Sequence, residues 1–323
     1  MKRKSALIET ALESLASREK RCDLCPRDCR VDRTRSEIGF CGIADRAGVA
    51  RSLLHYGEEP LISGSSGPPG PGSGTIFFTG CNLRCLFCQN FQISWGRHGE
   101  PVSDAQLADL MIGLQDQGAL NINLVSPTHV VLPILRALRM AVGRGLTVPV
   151  VWNSNGFESV GVIERLAGIV DIYLPDLKYH SPIPAERFSG AKDYFEQASQ
   201  VLGEMYVQQP DLEVGVNGIA SRGLIVRHLV LPGQAEDSIA VLEWLARTLS
   251  PSIGLSLMSQ YQPCFRAPET IRRVLRVDEY GAVLNRALEL GFENLFAQPE
   301  AFAPDEHLMP DFGRESPFRW KPD

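Results

Sequence analysis

The 323-residue sequence has no apolar run near the roughly 18–20 residues that a membrane-crossing helix needs, so no membrane span is expected. It has no excess of positive charge. With 32 Lys and Arg against 38 Asp and Glu, the formal net charge is −6, which argues against a general nucleic-acid surface. No internal repeat is visible, so nothing points to a repeat array. Cysteine is scarce, at eight residues, and seven of the eight fall in two tight groups. That distribution is unlike the disulfide framework of a small secreted chain and favours metal or redox chemistry in a reducing compartment. The opening "MKRKSALIETALESLASREKR" begins with basic residues but lacks the apolar core of a signal peptide, because Glu9, Glu13, Arg18 and Glu19 interrupt it. Ile8, Leu12 and Leu15 recur instead at helical spacing. A short amphipathic helix and a cytoplasmic location are the expectation.

What is present is ample: 44% hydrophobic and 22% charged residues can build a sizeable core. From Thr75 onward, apolar runs alternate with helical patterns. "TIFFT" (75–79), "NINLVS" (121–126), "VPVVW" (148–152), "VDIYL" (170–174), "GLIVRHLVL" (223–231), "GLSLM" (254–258) and "NLFA" (294–297) read as buried strands. Between them, the segment opening at Ser103 shows capping-box spacing to Gln106, followed by Leu107, Leu110, Met111 and Leu114 on one face. This alternation predicts an α/β fold with a parallel sheet and right-handed crossovers, either open or as a barrel. We expect a partial (β/α)6 TIM-like barrel with a small N-terminal Cys-rich metal-binding module. The expected divisions are residues 1–62 for the N-terminal helix and module, 63–74 for a Gly/Pro/Ser-rich connector that cannot form a helix or a central strand, 75–297 for the barrel and 298–323 for an extended tail. In such sheets ligands gather at the carboxyl ends of the strands, so the polar residues just beyond them carry the chemistry.

Directly after "TIFFT" comes "GCNLRCLFCQN", which spaces Cys81, Cys85 and Cys88 as C-x3-C-x2-C. Structural zinc takes four protein ligands, usually in two paired knuckles, and no fourth partner stands nearby. Short-spaced cysteines commonly hold iron–sulfur clusters, and three of them leave one iron of a [4Fe–4S] cluster open to an external ligand.

This loop, with Phe87 before its last cysteine, resembles the radical S-adenosylmethionine superfamily. The resemblance implies a [4Fe–4S] cluster on Cys81, Cys85 and Cys88, with the open iron chelated by the methionyl group of S-adenosylmethionine. It also implies reductive cleavage of that cosubstrate to a 5′-deoxyadenosyl radical that abstracts hydrogen. "CNLRCLFCQN" is similar to the cluster loop of the pyruvate formate-lyase activating enzymes, and three further stretches extend the likeness across roughly residues 75–260. "VVWNSNGF" points to Asn153, Ser154 and Asn155, "VDIYLPDLKYH" to Asp176 and Lys178, and "VRHLVLPG" to Arg227 as the partner of the cosubstrate carboxylate. The types suit a zwitterionic sulfonium, which needs a cation for its carboxylate and oxygen acceptors for its amine and ribose. The chain departs from the family pattern where a Gly-Gly-Glu is usual. It reads "VSPTHV" there, so Ser126 and Thr128 are expected to bind the amine. Asn153 also stands where an Asp is usual. These departures fit an activase-like protein of unassigned substrate.

"CDLCPRDCRVDRTRSEIGFC" supplies Cys22, Cys25, Cys29 and Cys41. Four thiolates complete a tetrahedral zinc site or an auxiliary [4Fe–4S] cluster, and the spacing does not separate the two. So short a segment needs such a staple to fold. The expected partners are a reductant such as a flavodoxin or ferredoxin and a substrate that is a glycyl residue of a partner enzyme, a small molecule or a peptide. A non-catalytic iron–sulfur carrier or scaffold is the third reading.

Overall fold

The computed structural model describes residues 2–65, 67–68, 70–298 and 309–318. Its strands are β1 (Ala47–His55), β2 (Ser73–Phe78), β3 (Glu100–Val102), β4 (Ile122–Val125), β5 (Val150–Ser154), β6 (Ile172–Pro175), β7 (Glu213–Val214), β8 (Ala220–Leu229), β9 (Gly254–Met258) and β10 (Asn294–Ala297). Its helices are α1 (Lys2–Leu15), α2 (Pro60–Ser63), α3 (Phe91–Ser94), α4 (Asp104–Asp116), α5 (Val131–Gly143), α6 (Val160–Ile163), α7 (Pro182–Ser189), α8 (Tyr194–Gln208), α9 (Ala235–Thr248) and α10 (Val277–Glu289). The sheet order is β10-β9-β8-β6-β5-β4-β2-β1-β3, with β7 added beside β8. From β2 to β10 the neighbours on this path pair in parallel, while β1 pairs antiparallel with β2 and with β3. The parallel run thus has seven strands, and the sheet ends at β10 on one side and β3 on the other, a partial barrel.

Alternation along the strands sorts side chains into two layers. Trp152, Tyr173, Leu224 and Val226 point outward to the helices and join the main core. Val151, Ile172, Leu174 and Ile225 point inward and pack on Ile62 of α2. The β1–β2 connection therefore dips into the barrel, and its one-turn helix plugs the interior from below. Burying Ile62 completely contributes about 1.5–3 kcal/mol.

The Gly/Pro/Ser-rich stretch is less of a connector than its composition suggests. Ser63 ends α2, while Ser73 and Gly74 open the central strand β2. Glycine is required at 74 because a β-carbon would lie 2.7 Å from the Ala119 side chain and the Asn121 carbonyl. Likewise β1, placed by sequence with the Cys-rich module, forms part of the barrel sheet. Beyond Val49 its outer side carries no strand among the described residues, and the Arg51 guanidinium donates to the Arg314 carbonyl instead. Phe312 and Phe318 pack edge-on against Phe77 and His55 beside it. Of the expected tail, residues 299–308 and 319–323 lie outside the described residues.

Candidate active site

The cysteine loop is pinned at every turn. Gly80 has φ +79°, and a β-carbon there would sit 2.5 Å from the Cys41 carbonyl, so only glycine lets the chain leave β2 into the loop. The Asn82 amide donates to the Phe157 carbonyl, the Leu86 N–H to the Phe188 carbonyl and the Arg266 N–H to the Leu86 carbonyl. Each sulfur accepts hydrogen bonds: Cys81 from the Leu83 N–H (3.4 Å) and Asn155 Nδ2 (3.5 Å), Cys85 from Ser189 Oγ (3.1 Å), and Cys88 from Ser94 Oγ (3.2 Å). Burial raises the Cys85 thiol and pushes that of Cys88 up to about 12.

All three cysteines border one cavity of about 820 Å³ at the carboxyl ends of the strands, and Phe87 lines it with them. Ser126, Asn153, Ser154, Asn155, Asp176, Lys178 and Arg227 also face it. Ser126 holds φ +57°, a left-handed turn that ends β4. Asn155 bridges Asn82 Oδ1 (2.8 Å) and the Cys81 sulfur, tying the end of β5 to the cluster loop. Lys178 Nζ lies 2.7 Å from Asp176 Oδ2. Burial alone would lower this ammonium, but the Asp176 carboxylate and then the Cys85 sulfur outweigh it and raise Lys178 above the usual lysine range. The Tyr194 hydroxyl donates to the Asn155 and Asp176 carbonyls and accepts from the Lys178 N–H, which fixes both strand ends together.

One expected residue lies outside the cavity wall, and another is already paired there. Thr128 is absent from the cavity wall. Its hydroxyl donates to Glu158 Oε1 (2.8 Å), a buried carboxyl that also accepts from Trp152 Nε1 (2.8 Å) and Ser154 Oγ (2.6 Å). Burial raises Glu158 despite these three donors. Arg227 does face the cavity, but it is already paired: Nε donates to Glu59 Oε1 (2.7 Å), and Nη2 contacts both Glu58 and Glu59. Its charge is thus compensated twice over. Sequence reasoning missed Glu58, Glu59 and His55, which all line the cavity floor. His55 ends β1, and Glu58 and Glu59 follow on the β1–α2 connection, all within the stretch that the sequence assigns to the module, where only the "EEP" before a helix start marks the two glutamates. His129 and His228 do not line the cavity. Their rings bond to the Thr79 and Leu177 carbonyls, and burial lowers both, His129 to about 4.

Cys22, Cys25 and Cys41 are buried and Cys29 is half-buried. Cys29 accepts the Phe40 N–H, and Cys41 accepts from Arg33 Nη2 (3.4 Å). Burial, with the neighbouring sulfurs adding to it, pushes the Cys25 thiol up to about 12. Among the described residues, no three His, Cys, Asp or Glu side chains are gathered as ligands of one metal ion.

The donor chemistry of the loop fits a thiolate-held cluster. Three sulfurs open on one wall, each receives hydrogen bonds that stabilise negative charge, and burial raises the Cys85 and Cys88 thiols. Across the cavity, among the described residues, Ser126 and Asn153 make no side-chain hydrogen bond and can bind a polar ligand. No helix among the described residues is long and apolar enough to cross a membrane.

The model of the Radical SAM superfamily matches residues 75–208. The uncharacterized protein MJ0674 of Methanocaldococcus jannaschii is 31% identical over 299 residues, covering 89% of this chain and 79% of that protein. Two solved structures, native anSMEcpe with bound AdoMet and the same protein with AdoMet and the Cp18Cys peptide, are 11% identical with TM-scores of 0.46 and 0.47. Each match covers 68% of this chain and only 61% and 60% of those chains. On the family match and the M. jannaschii relative, the chain belongs to the Radical SAM superfamily.

Proposed function

We propose that this protein is a radical S-adenosylmethionine enzyme that draws hydrogen from a small substrate enclosed between the Cys81–Cys88 loop and the Glu58/Glu59/Arg227 floor. The observation that carries this reading is the cavity itself, with the three sulfurs on one wall and Glu58, Glu59 and Arg227 on its floor. The α2 plug closes the barrel below, and Pro310 and Phe318 contribute to the cavity wall together with Leu295–Gln298. A volume of about 820 Å³ suits a nucleoside-sized cosubstrate and a small partner. When bound, a [4Fe–4S] cluster on Cys81, Cys85 and Cys88 supplies the electron that divides the sulfonium of S-adenosylmethionine.

The chain's own residues then orient and shield. Ser126, Asn153 and Asn155 offer acceptors and donors for the amine and ribose. Lys178, paired with the single carboxylate of Asp176, offers the cation for the cosubstrate carboxylate in preference to Arg227, which two glutamates compensate. Phe87, packed on Phe188 and Tyr261, keeps water from the loop. Cys22, Cys25, Cys29 and Cys41 hold zinc or an auxiliary [4Fe–4S] cluster, and a flavodoxin or ferredoxin supplies the electron. A second reading, activation of a partner enzyme by abstraction from its glycyl residue, is carried by the likeness of Cys81–Asn90 to the activase loops.

The test is anaerobic. The iron- and sulfide-loaded protein, reduced and given S-adenosylmethionine, is expected to form 5′-deoxyadenosine, and a Cys81/Cys85/Cys88→Ala variant none. A loaded, reduced wild type that forms none would sink the reading. Stimulation by a metabolite fraction below about 1 kDa separates the small-substrate reading from the glycyl one, which requires a glycyl-radical enzyme instead.

A further inference from the structure

The N-terminal cysteine segment is fastened to the loop of Cys81–Cys88 by side chains that alternate with its own sulfurs. The Cys81 N–H donates to the carbonyl of Cys41 (3.3 Å). Arg97 Nη1 donates to the carbonyl of Gly42, next to Cys41. Most of the attachment belongs to Arg27, which lies between Cys25 and Cys29 in the chain. Its Nε donates to the Asn82 carbonyl (2.8 Å), and Nη2 to the carbonyls of Leu83 (3.3 Å) and Ser189 (3.1 Å). Nη1 donates to the carbonyl of Gly190 (2.7 Å). One guanidinium thus holds two successive carbonyls of the cluster loop and the end of α7. That helix end carries Ser189, whose hydroxyl donates to the Cys85 sulfur. The rings of Phe40 and Phe157 lie over it at 4.1 and 5.2 Å.

We propose that Arg27 is a positioning residue for the catalytic cluster: its fork holds the Cys81–Cys88 loop and the Ser189 donor in register, and its charge, set against the Asn82 and Leu83 carbonyls of that loop, makes the cluster easier to reduce. The inference rests on the reading of Cys81, Cys85 and Cys88 as cluster ligands. A metal on Cys22, Cys25, Cys29 and Cys41 fixes the turn that aims Arg27, so the segment around it acts on the radical loop without touching the cavity, whose lining does not include it. Lysine can keep the charge but cannot make the fork, and glutamine can do neither.

The experiment compares wild type, Arg27→Lys and Arg27→Gln, each loaded with iron and sulfide under anaerobic conditions. Three readouts are taken: iron per chain, the electron paramagnetic resonance spectrum of the reduced cluster, and its reduction potential by spectroscopic titration. A Cys81/Cys85/Cys88→Ala background reports the metal on the first four cysteines alone. Arg27→Gln is expected to keep that N-terminal metal, to change the resonance of the catalytic cluster and to move its potential to more negative values. Arg27→Lys is expected to change the resonance while keeping the potential near wild type. An unchanged spectrum and potential in Arg27→Gln overturns the proposal. Loss of both metals together in Arg27→Gln overturns it too, since that marks a general folding role. Failure of the wild type to bind a cluster at Cys81–Cys88 overturns the functional reading instead.

Discussion

The two sulfur sets of this chain are treated differently by the protein around them. In the first, the donors to sulfur are the Phe40 backbone amide and the buried Arg33 guanidinium, both from within the Cys-rich segment itself. In the second, three of the donors are exchangeable side chains: Asn155, Ser189 and Ser94. Donors from the same segment fold with the sulfur turns themselves. In the second set, Asn155 just beyond β5 and Ser189 of α7 come from distant parts of the chain and tie the sulfurs to the barrel, while Ser94 of α3 lies six residues from Cys88. The first set is built to hold its shape, and the second to be tuned.

The largest break in that comparison comes from removing the first set. The segment between α1 and β1 has only two short 3₁₀ turns, and a structural metal contributes on the order of 10 kcal/mol to the folding of such a piece. A Cys22/Cys25/Cys29/Cys41→Ser variant is therefore expected to be cleaved within residues 20–46 by limited proteolysis, under conditions in which the Cys81/Cys85/Cys88→Ala variant stays whole. Equal resistance of the two would erase the distinction.

A second effect is shared by both sets and sharpened by pH. Cys25 and Cys88 are each raised to about 12 by burial, so at any lower pH each gives up a proton when metal binds. The sign follows: raising pH lowers the proton competition, and apparent metal affinity rises about tenfold per pH unit for each proton released. Chelator competition between pH 6 and 9 measures it, and a flat profile contradicts protonated thiols in the metal-free protein. The smallest effect separates the sets again. Ser189→Ala and Ser94→Ala each remove one donor to sulfur, costing about 1 kcal/mol of stability. Each is expected to shift the cluster to more negative potential, with the N-terminal metal unaltered.

Much of this fold was legible because strand and helix periods differ. The seven predicted strands between Thr75 and Ala297 correspond to β2, β4, β5, β6, β8, β9 and β10, and the capping box at Ser103 closes as its spacing suggested. What the sequence hid was tertiary. β1 reads as irregular because its neighbours in the chain are Cys-rich turns. Ser73 and Gly74 look like linker, although close packing on Ala119 is what demands glycine. In the site, the polar strand ends identified Ser126, Asn153, Ser154, Asn155, Asp176 and Lys178 as cavity residues. Thr128 was misplaced because its pattern matches a cavity residue while its hydroxyl serves Glu158, four residues beyond Ser154 and visible only in three dimensions. The pairing of Arg227 escaped notice because its glutamates lie 168 and 169 residues away.

The plug has a consequence for how such a protein can change. The depth of the cavity is set by a short connection, residues 56–63, that enters the barrel between β1 and β2 and carries Glu58 and Glu59 on its upper side. No parallel strand and no sulfur ligand belongs to it. Under the proposed function, lengthening, shortening or recharging that one connection reshapes the cavity floor and leaves the three-cysteine loop unchanged. Floor and loop are thus encoded on separate stretches of chain and can change separately.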